Sequence, residues 1–301
     1  MRIEPAGAAE RGAWCRVQRA CSPLVPLAPA DLEHDERSLP VVKRWLVREE
    51  GGHAIACGAL RTHALFAQPG RLALDLYVMP AARRAGVGGT LLRHLMDEAR
   101  ALGASTVRTY APAGDPAWDV LAVRHDLLEV ERDRFCVREL GPHPAAEGTF
   151  VLLDEHRAAD AWRLEERLHA ALGTAAPYVG GYERWRARVL DGPGCGVGNV
   201  LIESDRQGRI VGFAAMRRLA ADPATAYHLF TGVAEHARGR GIAGKLKGAA
   251  AAWAAAHGVR RLVADTSPGN EPMLRANLAA GYQAVRDVRN LEGRVLAPPG
   301  E

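Results

Sequence analysis

Two short runs of arginine and glycine contain the residue types that bind phosphate. They occupy positions 83–89 (RRAGVGG) and 238–244 (RGRGIAG), and each separates an apolar, strand-like stretch from a long amphipathic helix. The first turn of a helix leaves backbone N–H groups without partners and carries partial positive charge. Small residues there let a bulky anion approach. The sequence therefore predicts a phosphate-binding corner, suited to a pyrophosphate, in each half of the chain.

The two runs belong to an internal repeat. They lie 155 positions apart, and the same offset aligns Val78 with Val233 and Gly103 with Gly258. Repetition at a fixed offset indicates a duplicated structural unit. Because a domain usually has about 150 residues, the 301-residue length also predicts two domains.

Positive charge is concentrated around the second run. Arg238 and Arg240 lie within it, Lys245 and Lys247 follow in the next helical turn, and the first run has Thr90 where the second has Lys245. We expect these cations to face a phosphate. Neither run has the lysine and hydroxyl that end a P-loop, nor the third glycine of a Rossmann fingerprint at the required step, so both common nucleotide motifs are excluded.

Further motif elements follow in order in the second half: Thr231-Gly232-Val233, the segment 238–243, Asn270-Glu271-Pro272-Met273, Asn277 and Gly281-Tyr282. The pattern Arg-x-x-Gly-x-Gly/Ala between a strand and a long helix, with these elements at their spacing, resembles the acetyl-CoA-binding motif of the GNAT superfamily of N-acetyltransferases. The resemblance covers most of positions 227–282.

The resemblance implies how acetyl-CoA is held. In that superfamily the loop binds the pyrophosphate of the coenzyme, the preceding strand end pairs with the pantetheine arm, and the next helix approaches the cofactor. The implied loop residues are Arg238, Gly239, Arg240, Gly241, Ala243 and Gly244. The strand end is Val233, whose backbone amide would also polarise the thioester carbonyl, and the helix residues are Asn270 and Asn277.

The first copy departs further from the pattern, because Asp126-Leu127 replaces Gly281-Tyr282 and Ala122 replaces Asn277. Two interpretations of its intact loop stay open: it holds a second coenzyme, or its glycines serve only helix–strand packing. The residues concerned are Val78, Arg83, Arg84, Gly86, Gly88 and Gly89.

The catalytic acid and base are not assigned by the resemblance. Many relatives have a tyrosine acid where this chain has Asn277, and a frequent glutamate base position holds Tyr227. The sequence candidates are Tyr227 and then His228, although His228 should point to the opposite face of the strand. The implied reaction is direct attack of an amine on the thioester in a ternary complex, with no metal.

Other polar and aromatic positions have structural explanations. Tyr178, Tyr182 and Trp185 lie where the superfamily forms one wall of the acceptor site, although helix packing explains Trp185 equally well. We expect Asp75 on a solvated strand face and the charged run 165–167 on the solvated side of a helix.

The elements that must position these residues alternate between strands and helices. The expected fold is α/β, with two tandem GNAT-like domains, each a mixed twisted sheet flanked by helices. We place the domains at 1–141 and 148–296, with a linker at 142–147 that is rich in turn residues. Within the first domain, Trp14–Arg19 is predicted as a strand and Asp31–Arg37 as part of an irregular segment.

Composition narrows the class of protein. The chain is 48% hydrophobic and 25% charged with a net charge of +4, has no apolar run long enough to span a bilayer, and has no secretory leader pattern. We expect a cytoplasmic protein that binds neither membranes nor nucleic acid. The five scattered cysteines predict free thiols. Monomer and homodimer both stay open.

The predicted function is acetyl-CoA-dependent acetylation of a primary amine on a small molecule, with the chemistry in the second domain. Two alternatives stay open. One is mycothiol synthase-type acetylation of a cysteinyl amine, which the tandem layout favours and Tyr227 at the glutamate position disfavours. The other is a non-catalytic acyl-CoA sensor or scaffold, which the missing tyrosine and glutamate favour.

Overall fold

The computed structural model describes residues 1–63, 68–141, 151–171, 181–267 and 269–295. Within them the chain forms two compact units. The first consists of Met1–Asp133 and Asp287–Glu301, and the second of Arg134–Arg286. Each unit is an α/β layer structure built on a mixed sheet, so the predicted fold class is confirmed.

The first unit contains the following elements in chain order: β1 (Arg2–Pro5), α1 (Arg11–Cys21), α2 (Pro29–Ser38), β2 (Val42–Arg48), β3 (Ala54–Arg61), β4 (Arg71–Val78), α3 (Val87–Ala101), β5 (Thr106–Pro112), α4 (Pro116–Arg124) and the start of β6 (Leu128–Glu139). Alternating strand residues bury the two faces of this sheet. Trp45, Val47 and Leu60 pack with Leu91 and Leu95 of α3. Leu46, Cys57 and Ala59 pack on the other face with Trp14 and Val17 of α1.

The second unit repeats this plan from the end of β6 onward: β7 (Val151–Leu152), α5 (Ala158–Ala171), α6 (Gly181–Val189), β8 (Val200–Ser204), β9 (Ile210–Leu219), β10 (Asp222–Val233), α7 (Ile242–Ala256), β11 (Arg261–Thr266), α8 (Glu271–Ala279) and the start of β12 (Gln283–Arg294). Trp253 of α7 is fully buried, and its indole donates to the Gly198 carbonyl at 2.8 Å.

Each sheet has one parallel pair among antiparallel ones. The strand order is β1-β2-β3-β4-β5-β12 in the first unit and β6-β11-β10-β9-β8-β7 in the second, and the parallel pairs are β4–β5 and β10–β11. One strand of each sheet comes from the other sequence repeat. Residues Val288–Arg294 of β12 pair with β5, and Arg134–Glu139 of β6 pair with β11.

This strand exchange explains why the compact units divide the chain inside β6 and β12. The bounds 1–141 and 148–296 stay a prediction of where the two sequence repeats lie. The predicted linker at 142–147 lies outside the described residues.

Two predicted elements are wrong. The stretch Trp14–Arg19 belongs to helix α1, because Trp14 and Val17 share one buried helix face while Arg16 and Arg19 lie on the exposed one. The stretch Asp31–Arg37, predicted as irregular, belongs to helix α2. This helix has proline at its first position, and the Asp31 carboxylate accepts the Ala28 N–H at 2.7 Å.

No helix in the described ranges is long and apolar enough to cross a membrane.

Candidate functional site

The two arginine–glycine corners have the same backbone conformation. Gly86 (φ 78°, ψ −7°) and Gly241 (φ 74°, ψ 8°) both cap the following helix in the left-handed region. Two residues earlier, Arg84 (φ 62°) and Gly239 (φ 75°) are also left-handed. Only the second corner has glycine at that earlier position. The conformation is therefore maintained in the first corner despite the cost of a left-handed arginine.

Side-chain and helix geometry match as well. Arg83 Nε donates to the Val78 carbonyl at 3.2 Å, and Arg238 Nε donates to the Val233 carbonyl at 3.4 Å. The first intrahelical bonds run from Thr90 to Gly86 and from Lys245 to Gly241, each at 3.0 Å. The three N–H groups before each donor have no acceptor within the helix and point out of its end.

The glycines of the corners are not required by packing. A Cβ placed at Gly241 or Gly244 would meet no atom within 4 Å. At Gly88 it would lie 3.5 Å from the Val78 side chain, an ordinary van der Waals distance. Glycine in the first helical turn costs about 1 kcal/mol relative to alanine. The open space is what an anion seated on the helix end needs, and this favours the binding interpretation in the first copy too.

Beyond each corner, the two parallel strands separate. The last β10–β11 pair is Tyr227 with Val263, although β10 continues to Val233. The last β4–β5 pair is Leu74 with Thr109, although β4 continues to Val78. An open strand edge therefore leads toward each glycine corner.

The backbone N–H of each strand-end valine faces this open edge. Ala234 N–H bonds to Val211 on β9, and Met79 N–H bonds to Ile55 on the β3 side. Because successive N–H groups of a strand point to opposite edges, the N–H of Val233 and that of Val78 point away from those partners. A pantetheine amide could pair there.

Only the second unit has a bulge in the strand that leads to the corner. The β10–β9 register shifts between His228 and Phe230, whereas β4 pairs with β3 in step from Ala73 to Val78. A bulge re-aims backbone groups and side chains. In β10 it falls directly after the last residue paired with β11.

At the point where β10 and β11 separate, two polar side chains meet. The Tyr227 hydroxyl donates to the Asp265 carboxylate, and both residues are only partly buried. Tyr227 was the first catalytic candidate from the sequence, and the structure places beside it an acid that sequence reasoning missed. A hydrogen-bonded carboxylate at an accessible opening can accept a proton.

His228 lies on the opposite face of β10, as the strand alternation predicts, and is buried under helix α7. Its Nε2 lies 2.6 Å from the Tyr282 hydroxyl, and its Nδ1 lies 3.4 Å from Thr231 Oγ1. Burial and the nearby Lys247 charge hold the pKa of His228 well below its usual range, so the imidazole is neutral at pH 7. Burial raises the pKa of Tyr282.

Lys247 contributes a buried amine to the same region. The residue is 1% exposed, and its Nζ lies 5.2 Å from the centroid of the Tyr282 ring. Burial lowers the pKa of Lys247 to about 7, against smaller opposing effects of Asp265 and Cys136. The expectation that Lys247 faces a phosphate is wrong, because its side chain is on the helix face that packs on the sheet. Lys245 is exposed, with its Nζ 3.3 Å from Glu203.

Both predicted asparagines have partners within the protein. Asn270 caps helix α8 by accepting the Met273 N–H at 3.3 Å. Asn277 is fully buried; its Nδ2 donates to Thr266 Oγ1 at 2.9 Å, while its Oδ1 has no hydrogen-bond partner among the described residues. Direct contact of either residue with a coenzyme stays a prediction.

The helices α5 and α6 contain a buried carboxylate. Glu165, predicted on a solvated face, is 0% exposed; it accepts the Trp185 indole N–H at 2.7 Å and pairs with Arg188. Trp185 is therefore a core residue. Tyr182 stacks on it with ring centroids 6.0 Å apart, and Tyr178 lies outside the described residues.

Asp75 in the first unit is also not on a solvated face. Its carboxylate accepts from Arg61 Nε at 2.9 Å, and its side chain is 12% exposed. Asp75 is the largest cause of the raised pKa of Arg61. The sheet face that carries Tyr227 in the second unit carries this ion pair in the first, with Tyr110 and His63 joined nearby at 2.7 Å.

These features are accompanied by a family match. The model of the acetyltransferase (GNAT) family matches residues 15–125 and again 162–282, which together exceed half of the chain. The chain belongs to the GNAT acetyltransferase family. The match occurs twice, which confirms the tandem GNAT layout. No curated protein matches the sequence.

Solved structures share the fold over nearly the whole chain. A tandem GNAT protein from the clavulanic acid biosynthesis pathway superposes with a TM-score of 0.74 at 21% identity, covering 99% of each chain. A GCN5-related N-acetyltransferase from Sphaerobacter thermophilus superposes with a TM-score of 0.72 at 21% identity, covering 98% of this chain and 96% of that one. The N-myristoyltransferase of Saccharomyces cerevisiae, solved with myristoyl-CoA, has a TM-score of 0.65 at 9% identity over 97% of this chain and 79% of that chain. At such identities these similarities concern the fold.

Sequence reasoning missed Asp265 and misplaced Lys247. A signal for both exists in the repeat, since the 155-residue offset aligns Lys247 with Leu92 and Asp265 with Tyr110. A charge that replaces a buried leucine, as Lys247 does, or a half-buried tyrosine, as Asp265 does, is unusual. Only the structure shows that both are near the strand opening.

Proposed function

We propose that the protein transfers the acetyl group of acetyl-CoA to a primary amine of a small molecule, with the chemistry in the second unit. The observation that carries the proposal is the Tyr227–Asp265 pair, which lies where β10 and β11 separate and β10 leads to the Arg238–Gly244 corner. An anion-binding helix end, an open strand edge and a carboxylate base are the parts that this reaction needs.

The residues of the corner fit the coenzyme. The unpaired N–H groups at the start of α7 and the exposed Arg238 and Arg240 would hold the pyrophosphate. The Val233 N–H faces the open edge, where it would hydrogen-bond the pantetheine arm or the thioester carbonyl. Acetyl-CoA is a co-substrate here, and the proposal includes no metal.

Asp265 would act as the base. The acceptor nitrogen must lose protons to become and remain an amide, and a carboxylate at the opening accepts one directly or through water. Tyr227 would position this carboxylate and keep it oriented toward the opening through its hydroxyl. The amine then attacks the thioester carbonyl, and no enzyme nucleophile is required.

For the first unit we propose coenzyme binding without acetyl transfer. Its corner repeats the backbone of the second, including the left-handed Arg84 and the open space at Gly86. The Asp265 position holds Tyr110, and the carboxylate of Asp75 on the same sheet face is ion-paired with Arg61. Acyl-CoA in this half would stabilise the unit without turning over.

The test is release of free coenzyme A thiol from acetyl-CoA in the presence of a panel of primary amines that includes a cysteinyl amine. Turnover with at least one amine is expected, and turnover restricted to the cysteinyl amine would identify mycothiol synthase-type chemistry. Tight acetyl-CoA binding with no turnover on any amine would contradict the proposal and favour a sensor or scaffold.

A further inference from the structure

Lys247 is a buried cation that the fold does not require. It lies on the sheet-facing side of α7, a helix composed largely of alanine, and only 1% of it is exposed. Burial of an ionisable amine is costly unless a partner compensates it. At the same register position of the first unit, Leu92 is fully buried. An apolar side chain therefore satisfies this packing position.

The groups around the amine come from four other elements. They are His228 on β10, Asp265 on β11, Cys136 on β6 and Tyr282 after α8. The charge of Arg138 in turn favours the ionised form of Tyr282, against the larger effect of burial. Among the described residues, Nζ forms no hydrogen bond and no ion pair within 4.0 Å; it lies over the face of the Tyr282 ring, 5.2 Å from the ring centroid. Buried polar groups are nearly always hydrogen-bonded, so this amine has capacity for a partner outside the chain.

Lys247 belongs to the helix that begins at the glycine corner, and its charge acts on His228, which follows the last paired residue of β10. Helix α7 begins directly after Gly241, and Lys247 is in its second turn. The strands that it packs against separate beyond Tyr227 and Val263. The residue at which relatives have a tyrosine acid, Asn277, is on the adjacent helix α8 and cannot donate a proton as an acid.

We propose that Lys247 is the proton donor to the coenzyme sulfur as the thioester breaks. The acceptor nitrogen forms a bond to the carbonyl carbon, the C–S bond breaks, and its electron pair goes to sulfur. The Lys247 ammonium transfers a proton to that sulfur, which leaves as the thiol, and becomes a neutral amine. Of the two protons that the acceptor ammonium loses, one restores Lys247 through water and the other goes to solvent.

This inference rests on the proposed function. The surroundings of Lys247 suit a proton donor, because an ammonium held in an apolar interior gives up its proton readily. A pKa near neutrality also matches the working pH of a general acid. Asp265 on the far side of the opening handles the nitrogen, so the acid and the base are separate groups.

The chain is well suited to a direct titration, because Lys43, Lys245 and Lys247 are its only lysines. Lysine labelled with ¹³C at the ε-carbon gives three NMR resonances, which the variants Lys43→Arg and Lys245→Arg assign. The Lys247 resonance should titrate near neutrality. If it titrates instead at about pH 10.4, the ordinary value for a lysine, the inference is overturned.

Two ligands then separate the inference from the proposed function. Coenzyme A should raise the pKa of Lys247 by roughly one unit or more relative to desulfo-coenzyme A, because only the former offers a thiolate. Equal shifts with both ligands would overturn the proton-donor role and leave coenzyme binding intact. No change in any resonance with either ligand would contradict coenzyme binding itself.

Kinetics give an independent arm. Lys247→Met should lower kcat roughly 100-fold with little change in the KM for acetyl-CoA, and should abolish the fall of kcat at alkaline pH. The exposed Lys43→Met is the matched control and should behave as wild type. A Lys247→Met enzyme that keeps the wild-type kcat and pH profile would overturn the inference, whatever its stability.

Discussion

The two units lay the same helix over the same strands and place different side chains between them. In the second unit the space under α7 and α8 contains Lys247, His228, Tyr282 and Asn277. In the first unit the matching positions are apolar and buried: Leu92, Leu74, Leu127 and Ala122. The glycine corners, in contrast, agree in backbone conformation to within a few degrees at the helix cap φ.

The comparison separates the backbone of the glycine corner from the polar side chains under the helix, two features that would occur together in a single domain. The corner depends on backbone torsions and small residues, and both units have it. The polar interior depends on side chains that cost free energy to bury, and only the second unit has it. The first unit thus acts as an internal reference, in which the same helix packs on the same strands through apolar side chains alone.

The largest expected effect comes from placing a lysine at the position of the first unit that matches Lys247. Leu92→Lys places an amine under α3 without the groups that surround Lys247, and should lower the free energy of unfolding by about 3–5 kcal/mol. Lys247→Leu, the reverse change, should leave it unchanged or raise it. Denaturant melts of both variants measure this. A strongly destabilised Lys247→Leu would show that the lysine is structural.

The next effect concerns the base. Asp265→Asn keeps the shape and removes the negative charge, so kcat should fall roughly 100-fold while acetyl-CoA binding persists. Tyr110→Phe changes the matching position of the first unit and should leave thiol release at the wild-type rate. If the two variants have equal activity, the chemistry is not in the second unit.

Substitutions in the two corners should differ in their effect on turnover. Valine is strained at positive φ and re-aims the helix N–H groups, so Gly241→Val should weaken the second acetyl-CoA site roughly tenfold or more and lower kcat/KM. Gly86→Val should weaken the other site, with a much smaller effect on turnover. Calorimetry on the wild-type chain should resolve two unequal sites, and a single site would contradict coenzyme binding by the first unit.

Lys247 should also make stability depend on pH. Its folded-state pKa of about 7 lies below the unfolded value of about 10.4, so the unfolded chain binds more protons between these values. The free energy of unfolding should therefore rise with pH over this window, by at most about 1.4 kcal/mol per unit. Parallel urea melts of wild type and Lys247→Leu should show this slope only in wild type.

The smallest effect tests the strained corner. Arg84→Gly relieves a left-handed arginine and should raise the free energy of unfolding by about 0.5–1 kcal/mol, whereas Gly239→Ala should lower it by about 1 kcal/mol. Thermal melts of the pair are the measurement. A destabilised Arg84→Gly or a stabilised Gly239→Ala would show that the two corners do not share one backbone.

Much of the fold could be predicted from the sequence because its signals are local. The helices after both corners, the hairpins and the parallel strands follow from hydrophobic periodicity and glycine stops. Helix α1 was missed because its apolar stretch, which includes Trp14 and Val17, is short. Over a few residues such a stretch fits the period of a strand as well as that of a helix. The strand exchange through β6 and β12 was not predictable, since pairing between distant segments leaves no local pattern.

The sequence by itself determined the family, the tandem repeat and the two glycine corners, because these depend on residue types at fixed spacing along one strand–loop–helix. Only the tertiary structure decided which polar residues meet. Asp265 reaches Tyr227 from a neighbouring strand, and Lys247 turns under the sheet rather than toward the corner. Burial and neighbours set the charge of such groups, and both arise only when separate segments pack together.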